Sequence, residues 1–240
     1  MTDFTRYGIY YLPAGELADF GARWLGWDLR SGERVEQGDL PALGSRLAEV
    51  TERPRKYGFH ATLKPPFALA EGQGEAELSE AVAGLAARLS PVAIERLKPT
   101  RLGRFLALVP EGASDGLRAL AGACVRELDP FRASPGEAEL LRRRARGLTP
   151  PQEAHLARWG YPYVMEEFRF HMTLTGPVGP EEAAAVEQAL AEALPPLPEP
   201  FLLEAVSLVG ERPDGMFQEI RRHALGGSTA TLPEAGRVRG

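Results

Sequence analysis

A four-residue pattern, histidine, apolar, threonine, apolar, occurs twice in this chain, and it constrains the fold more than any other feature. His60-Ala61-Thr62-Leu63 lies inside KYGFHATLKPPF, and His171-Met172-Thr173-Leu174 lies inside FRFHMTLTGP. Both stretches alternate, and on a strand successive side chains point to opposite faces. Phe59, Ala61 and Leu63 are therefore expected in a core, with His60, Thr62 and Lys64 on the other face. In the second copy Phe168, Phe170, Met172 and Leu174 form the buried side, and Arg169, His171, Thr173 and Thr175 the open side. A lone histidine on a strand is ordinarily a packed, hydrogen-bonded residue. Two in matching contexts, in a chain with only 4 histidines, point to chemistry.

The elements around the two motifs repeat as well. RYGIYYL reads as a first strand ending at Pro13, and residues 15 to 26 carry Leu17, Phe20, Trp24 and Leu25 at helical spacing. A turn-rich connection and a short helix near Leu43 to Val50 lead to the first motif strand, which Pro65-Pro66 closes because neither residue has an N–H to donate. Then come a helix from Glu75 to Leu89, strands at 92 to 97 and 104 to 110, and a helix at 114 to 128 starting at Ser114. After the second motif strand, expected at 167 to 175, a helix from Pro180 to Leu194 is followed by strands at Phe201 to Val209 and Met216 to His223. Strand with motif, helix, strand, strand thus occurs twice. The pattern predicts an α+β fold, a single bilobal domain over residues 1–225 with lobes interleaved around the motifs, and a polar tail over 226–240.

Size and composition narrow the function classes. The 240 residues suffice for one large core, and 44% apolar with 25% charged residues is the balance of a water-soluble protein. A net charge of -5 argues against a large nucleic-acid surface, which needs clustered cations. Cys124 is the single cysteine and sits in a helical apolar pattern, so it reads as a core residue, and no intramolecular disulfide can form. The N-terminal stretch lacks a basic region followed by an apolar run, and no segment is apolar over membrane length, so a cytoplasmic location without a membrane partner is expected.

Two imidazoles in one cleft can divide acid–base work at neutral pH, one neutral and one protonated. Displacement at phosphorus needs that pair, with the Thr62 and Thr173 hydroxyls and Lys64 steadying the non-bridging oxygens. The scheme needs no cofactor and no metal. Neither motif carries a neighbouring carboxylate or a zinc-type His-Glu-x-x-His spacing. Alternation puts Lys64 and Arg169 on the histidine side as candidate substrate binders. Tyr161 and Tyr163, which bracket Pro162, are candidates for stacking on a base or ribose, and Tyr57 falls on the buried side with Phe59. The run Arg142, Arg143, Arg144 and Arg146 reads as a solvated helix C-terminus, His155 as a surface residue and His223 as structural.

These paired motifs, half a chain apart, resemble the two-histidine phosphoesterase superfamily, which includes RNA 2',3'-cyclic phosphodiesterases and the 2'-5' RNA ligase-like proteins. The resemblance implies His60, Thr62, His171 and Thr173 as the active tetrad, in a pseudo-twofold cleft between two small antiparallel sheets with helices outside. RYGIY, KYGFHATLKPPF, GLTPPQEAHLARWGYPYV and FRFHMTLTGP are further similar to a bacterial phosphonate-operon protein family of unknown function. That similarity implies a small phosphodiester substrate, such as the cyclic phosphate of a phosphoribosyl sugar. RNA-end processing or RNA binding is the rival expectation, and a non-catalytic ligand-binding role in a phosphonate pathway is the third.

Overall fold

A computed structural model describes residues 4–38, 40–112, 115–145 and 147–226. The expected tail beyond Gly226 lies outside these residues, as do Ser114 and Arg146. In chain order the first half holds β1 (Arg6–Tyr11), α1 (Gly15–Leu25), β2 (Trp27–Asp28), β3 (Glu33–Arg34), α2 (Arg46–Val50), α3 (Glu52–Arg55), β4 (Ala61–Phe67), α4 (Glu75–Arg88), β5 (Val92–Ile94), β6 (Arg96–Leu102), β7 (Phe105–Glu111) and α5 (Asp115–Glu127). The second holds α6 (Glu137–Arg144), α7 (Pro150–Trp159), β8 (Met172–Thr173), α8 (Pro180–Ala193), β9 (Phe201–Leu203), β10 (Ala205–Glu211) and β11 (Phe217–Ala224). Among the described residues no helix is long and apolar enough to cross a membrane.

Local chemistry accounts for the helix limits. Gly26, at φ 76, ends α1 by adopting the left-handed conformation that a glycine takes without steric cost. Thr149 and Gln152 form a reciprocal capping box at the start of α7, with Pro150 in the first turn. Helices α1, α4, α5 and α8 turn apolar stripes, among them Phe20, Val82, Leu120 and Val186, into one core with Ile9, Leu63, Leu108 and Met172 of the sheet.

Seven strands form a single antiparallel sheet in the order β11-β10-β1-β4-β8-β7-β6. The two expected sheets are joined at the middle, where β4 meets β8 through the one pair Ala61↔Met172. The duplication is visible in the order β4-α4-β5-β6-β7 against β8-α8-β9-β10-β11. Corresponding strands meet each other, β4 with β8 and β5 with β9. The hairpins interleave: β6 and β7 extend the sheet beside β8, whereas β10 and β11 lie beyond β1 on the β4 side.

Several sequence expectations fail here. Strand β4 runs through Pro65-Pro66 to Phe67, which pairs with Tyr7, instead of closing at the prolines, and the stretches expected as single strands at 92 to 97 and 201 to 209 each break into two. Two further failures concern the site. The second motif strand is a two-residue ladder, Met172–Thr173, not a strand over 167 to 175. A 3-10 turn at Met165–Glu167 precedes it, and the amides of Leu174 and Thr175 converge on one carbonyl, that of Leu106, which ends the ladder. The backbone stays extended enough to keep the alternation as far as Leu174, since Phe168, Phe170, Met172 and Leu174 are all buried; Thr175, expected on the open side, is buried too, its hydroxyl accepting the Leu106 amide at 3.0 Å. The second failure is Lys64. Tyr10 pairs with Thr62 but Ile9 with Lys64, so β4 carries an extra residue at this point. Such a bulge turns the following side chain to the other face. Lys64 therefore shares the core side with Ile9, away from the histidines.

Helix α1 touches the first motif directly. A Cβ added at Gly21 would stand 2.0 Å from the Phe59 ring, so only glycine lets the helix approach the chain just before His60. Trp24 of the same helix donates its indole N–H to the Leu174 carbonyl at 2.8 Å, tying α1 to the second motif as well. Gly21→Ala is expected to lower unfolding free energy by about 1–3 kcal/mol through overpacking. Urea denaturation checks this, and an unchanged midpoint would show that α1 can move aside freely.

Candidate active site

His60 stands just before β4, where the chain is still turning. Gly58 takes φ 67, and a Cβ there would lie 2.6 Å from the Leu29 side chain, so both conformation and space require glycine. Its carbonyl accepts the His60 Nδ1–H at 2.9 Å, which fixes the tautomer. Nε2 is then the ring's acceptor, and Thr62 Oγ1 donates to it at 2.9 Å. Tyr10 stacks on the imidazole with centroids 3.8 Å apart. Tyr10 belongs to a small apolar cluster with Leu12, Trp27, Leu29, Val209 and Phe217. The stretch that reads as a mere connection in the sequence thus builds the wall behind His60. Burial lowers the His60 pKa to about 4; the Gly58 hydrogen bond opposes this, and the nearby His171 ring adds to it.

His171 is held by the same device. Its Nδ1 donates to the Arg169 carbonyl at 2.8 Å, again two residues upstream, leaving Nε2 for the cleft. Its surroundings differ: the nearest ring is Phe105 of β7, tilted at 5.9 Å. Thr173 follows on β8, paired with Ala107.

All four motif residues line one cavity of about 580 Å³. His60 and Thr173 also border a second space of about 430 Å³, walled by Tyr57, Phe105, Pro54 and Pro177. His60 and Thr173 therefore sit where the cleft meets a second, more apolar space. Among the described residues no group of three or more His, Cys, Asp or Glu is arranged to hold a metal ion.

The other candidate residues divide. Arg169, Tyr161 and Tyr163 line the cleft, as the alternation and the loop position predict. Lys64 does not. It is 2% exposed, its Nζ donates to the Val125 carbonyl at 3.1 Å, and Asp129 lies 3.6 Å away. Burial pulls its pKa down to about 8 against the opposing pull of Asp129. Tyr57 departs in the other direction: it lines the cleft beside His60, because the strand that would have buried it begins only at Ala61. Arg143 belongs to the cleft lining, whereas Arg144 pairs with Glu153 on the surface. His155 Nε2 lies 3.2 Å from a Glu166 carboxylate oxygen, and with only 16% of its side chain exposed it is not the surface residue the sequence suggests. Sequence reasoning passed over Arg6, Tyr10 and Gly58. The signal was present in RYGIY, since Arg6, Gly8 and Tyr10 fall on one face of β1.

Gly58→Ala tests the support of His60. Forcing a β-carbon into the left-handed region against Leu29 is expected to cost about 1–2 kcal/mol. It should also release the Nδ1 hydrogen bond, so that the His60 imidazole, followed by NMR, titrates at a pH different from that in the parent protein. A variant with the parent titration curve would show that the Gly58 carbonyl does not hold the ring.

The family model described as Protein of unknown function (DUF1045) matches residues 62–218. A protein named Ribose 1,5-bisphosphate phosphokinase PhnN from Janthinobacterium sp. (strain Marseille) is 37% identical over 247 residues, covering 98% of this chain and 54% of that protein. A protein of the same name from Laribacter hongkongensis (strain HLHK9) is 36% identical over 174 residues, covering 71% of this chain and 40% of that protein. The chain thus spans about half the length, or less, of these curated relatives. The structure is also similar to a crystal structure of E. coli LigT complexed with 3'-AMP, with a TM-score of 0.43, 16% identity, and 94% of this chain and 100% of that one covered. With more than half of its length matched by the family model, this chain belongs to the family described as Protein of unknown function (DUF1045).

Proposed function

We propose that this chain is a metal-independent phosphoesterase that hydrolyses a small phosphodiester, a cyclic phosphate of a sugar or nucleotide. The observation that carries the reading is the matched support of the two histidines. Each ring has its Nδ1–H on the carbonyl two residues upstream, so each offers Nε2 to one shared cleft with a threonine beside it. Acid–base catalysis of a phosphoryl displacement needs two such atoms on either side of a phosphorus.

The unequal surroundings divide the roles. His60, with its pKa lowered to about 4, is neutral at physiological pH and acts as the base. Its Nε2 takes a proton from water, with the Thr62 hydroxyl turning aside, and the water oxygen bonds to phosphorus. The P–O ester bond breaks, and His171, the acid in this scheme, delivers its Nε2 proton to the departing alkoxide. Water is consumed, and a phosphomonoester and an alcohol are formed. Thr173 and Arg169 offer donors to the non-bridging oxygens as charge grows on them.

The relatives' name supports a sugar substrate. Ribose 1,5-bisphosphate is the compound that name mentions. A phosphate bridging C1 and C2 of ribose 5-phosphate becomes ribose 1,5-bisphosphate when its bond to O2 is hydrolysed. A chain matching half of such a protein is suited to supply the compound that the whole protein's name says it phosphorylates.

The test is turnover of 5-phosphoribosyl 1,2-cyclic phosphate and nucleoside 2',3'-cyclic phosphates in the presence of a chelator. His60→Ala and His171→Ala are each expected to lower kcat by about a hundredfold or more. Activity abolished by chelation and restored by zinc or manganese would overturn the metal-free scheme. Silence of the folded wild type toward every compound would favour a ligand-binding role.

The pH dependence has a definite sign. Protonating His60 removes the base, so kcat/KM should hold down to about pH 4 and fall tenfold per unit below it. Tyr10→Ala opens the ring to water, which eases protonation and should move that limb up toward 6.5. An acid limb near 6.5 in the wild type, with the fold intact by circular dichroism, would assign the base elsewhere.

A further inference from the structure

The far end of the cleft from the histidines is cationic, and it adjoins another cavity. That cavity, of about 170 Å³, is lined by Lys64, Arg132, Arg6 and Arg143, and it shares Arg6, Arg143 and Tyr161 with the cleft. The four cations are not equivalent. Lys64 and Arg132 both face Asp129, and Arg132 also donates to the carbonyls of Ala133 and Arg158. Their donors are largely committed to holding α5 and the following turn in place.

Arg6 and Arg143 are positioned but less committed. Glu211 takes Nε and Nη2 of Arg6 at 2.5 and 2.7 Å. Glu139 takes Nε and Nη2 of Arg143 at 3.2 and 2.5 Å, and that guanidinium lies 4.7 Å over the Tyr161 ring. In each case the carboxylate occupies one edge of the fork and orients it, leaving Nη1 for an anion. Against Arg6, Arg143 and Arg169 the cleft lining sets one carboxylate, Glu167, which accepts a hydrogen bond from Gln152 at 2.7 Å.

Arg6 is also aligned with the tetrad. It shares the cleft face of β1 with Gly8 and Tyr10, the residue stacked on His60. Four residues of strand set the two Cα atoms about 13 Å apart. Gly8 carries no side chain between them, and a Cβ there would already meet the Tyr10 ring at 3.1 Å. A small molecule with one phosphate at the histidines and another toward Arg6 therefore passes over Gly8 and the Tyr10 ring that leans across it, with no other side chain of this face of β1 between.

We infer that Arg6 and Arg143 form an anion subsite that selects substrates bearing a second, terminal phosphate. Resting on the phosphoesterase reading, this makes the substrate class cyclic phosphodiesters of sugar monophosphates.

The experiment compares 5-phosphoribosyl 1,2-cyclic phosphate with ribosyl 1,2-cyclic phosphate. Wild type should favour the phosphorylated compound in kcat/KM by about a hundredfold or more, as expected for losing charge-assisted hydrogen bonds. Arg143→Gln should cut that preference about tenfold or more, through KM for the phosphorylated compound, and Arg143→Lys should restore part of it. Folding is not at risk, since α6 buries none of its residues. A wild-type preference near unity, or one unchanged by Arg143→Gln, overturns the subsite. If neither compound is turned over, the hydrolase reading fails, and ribose 5-phosphate binding by calorimetry judges the subsite alone. Binding tighter than that of ribose and weakened by Arg143→Gln supports it; binding no tighter than that of ribose, or unaffected by the variant, overturns it.

Discussion

A hydrogen bond from a histidine Nδ1 to the carbonyl two residues upstream occurs once in each half of the molecule, and the site depends on both. That bond chooses the tautomer, fixes the plane of the ring and leaves Nε2 toward the cleft. Before His60 the chain turns at Gly58, which takes the left-handed region with Leu29 packed where a Cβ would be. Before His171 the chain is already extended from Phe168, after a 3-10 turn whose first residue, Met165, also takes a positive φ. Two different local backbones therefore carry the same histidine-to-carbonyl bond.

What surrounds the rings is not the same. His60 lies against Tyr10 and the small cluster built by Trp27, Leu29 and Phe217, while His171 has Phe105 tilted at a greater distance. Desolvation acts on the charged form of an imidazole, so the closer packing at His60 drives it toward the neutral state. An internal duplication supplies two similar groups, and close packing then lowers the proton affinity of His60. The apolar cluster behind His60 thus sets the state of that ring as well as filling the core.

The cationic end of the cleft is assembled from distant parts of the chain: Arg6 from the first strand, Arg143 from α6 and Tyr161 from the turn after α7. Each arginine is paired with a carboxylate that holds one edge of its guanidinium, Arg6 with Glu211 and Arg143 with Glu139. Such pairs contribute little to stability where they are exposed. Their use here is orientation, because a planar fork fixed on one side presents its remaining donors in a defined direction.

Most of the architecture was legible from periodicity. The helices α1, α4, α5 and α8, the strands β1, β7 and β11, the repeated order around the motifs and the buried faces of both motif stretches follow from periodicity that acts within a few residues. His60, Thr62, His171 and Thr173 were likewise marked by local pattern. Three-dimensional context decided the rest. The bulge opposite Ile9 carried Lys64 out of the cleft, the late start of β4 left Tyr57 in it, and the approach of α6 brought in Arg143, which by itself reads as a solvated helix end. Alternation holds only while the ladder holds, and a single extra residue inverts every face assignment beyond it. The sequence by itself determined which residues could do acid–base work and which faces would be apolar, because those are properties of the residue and its near neighbours. Only the tertiary structure decided that His60 is kept neutral and which arginines border the cleft, because desolvation and charge proximity depend on contacts between segments far apart in the chain.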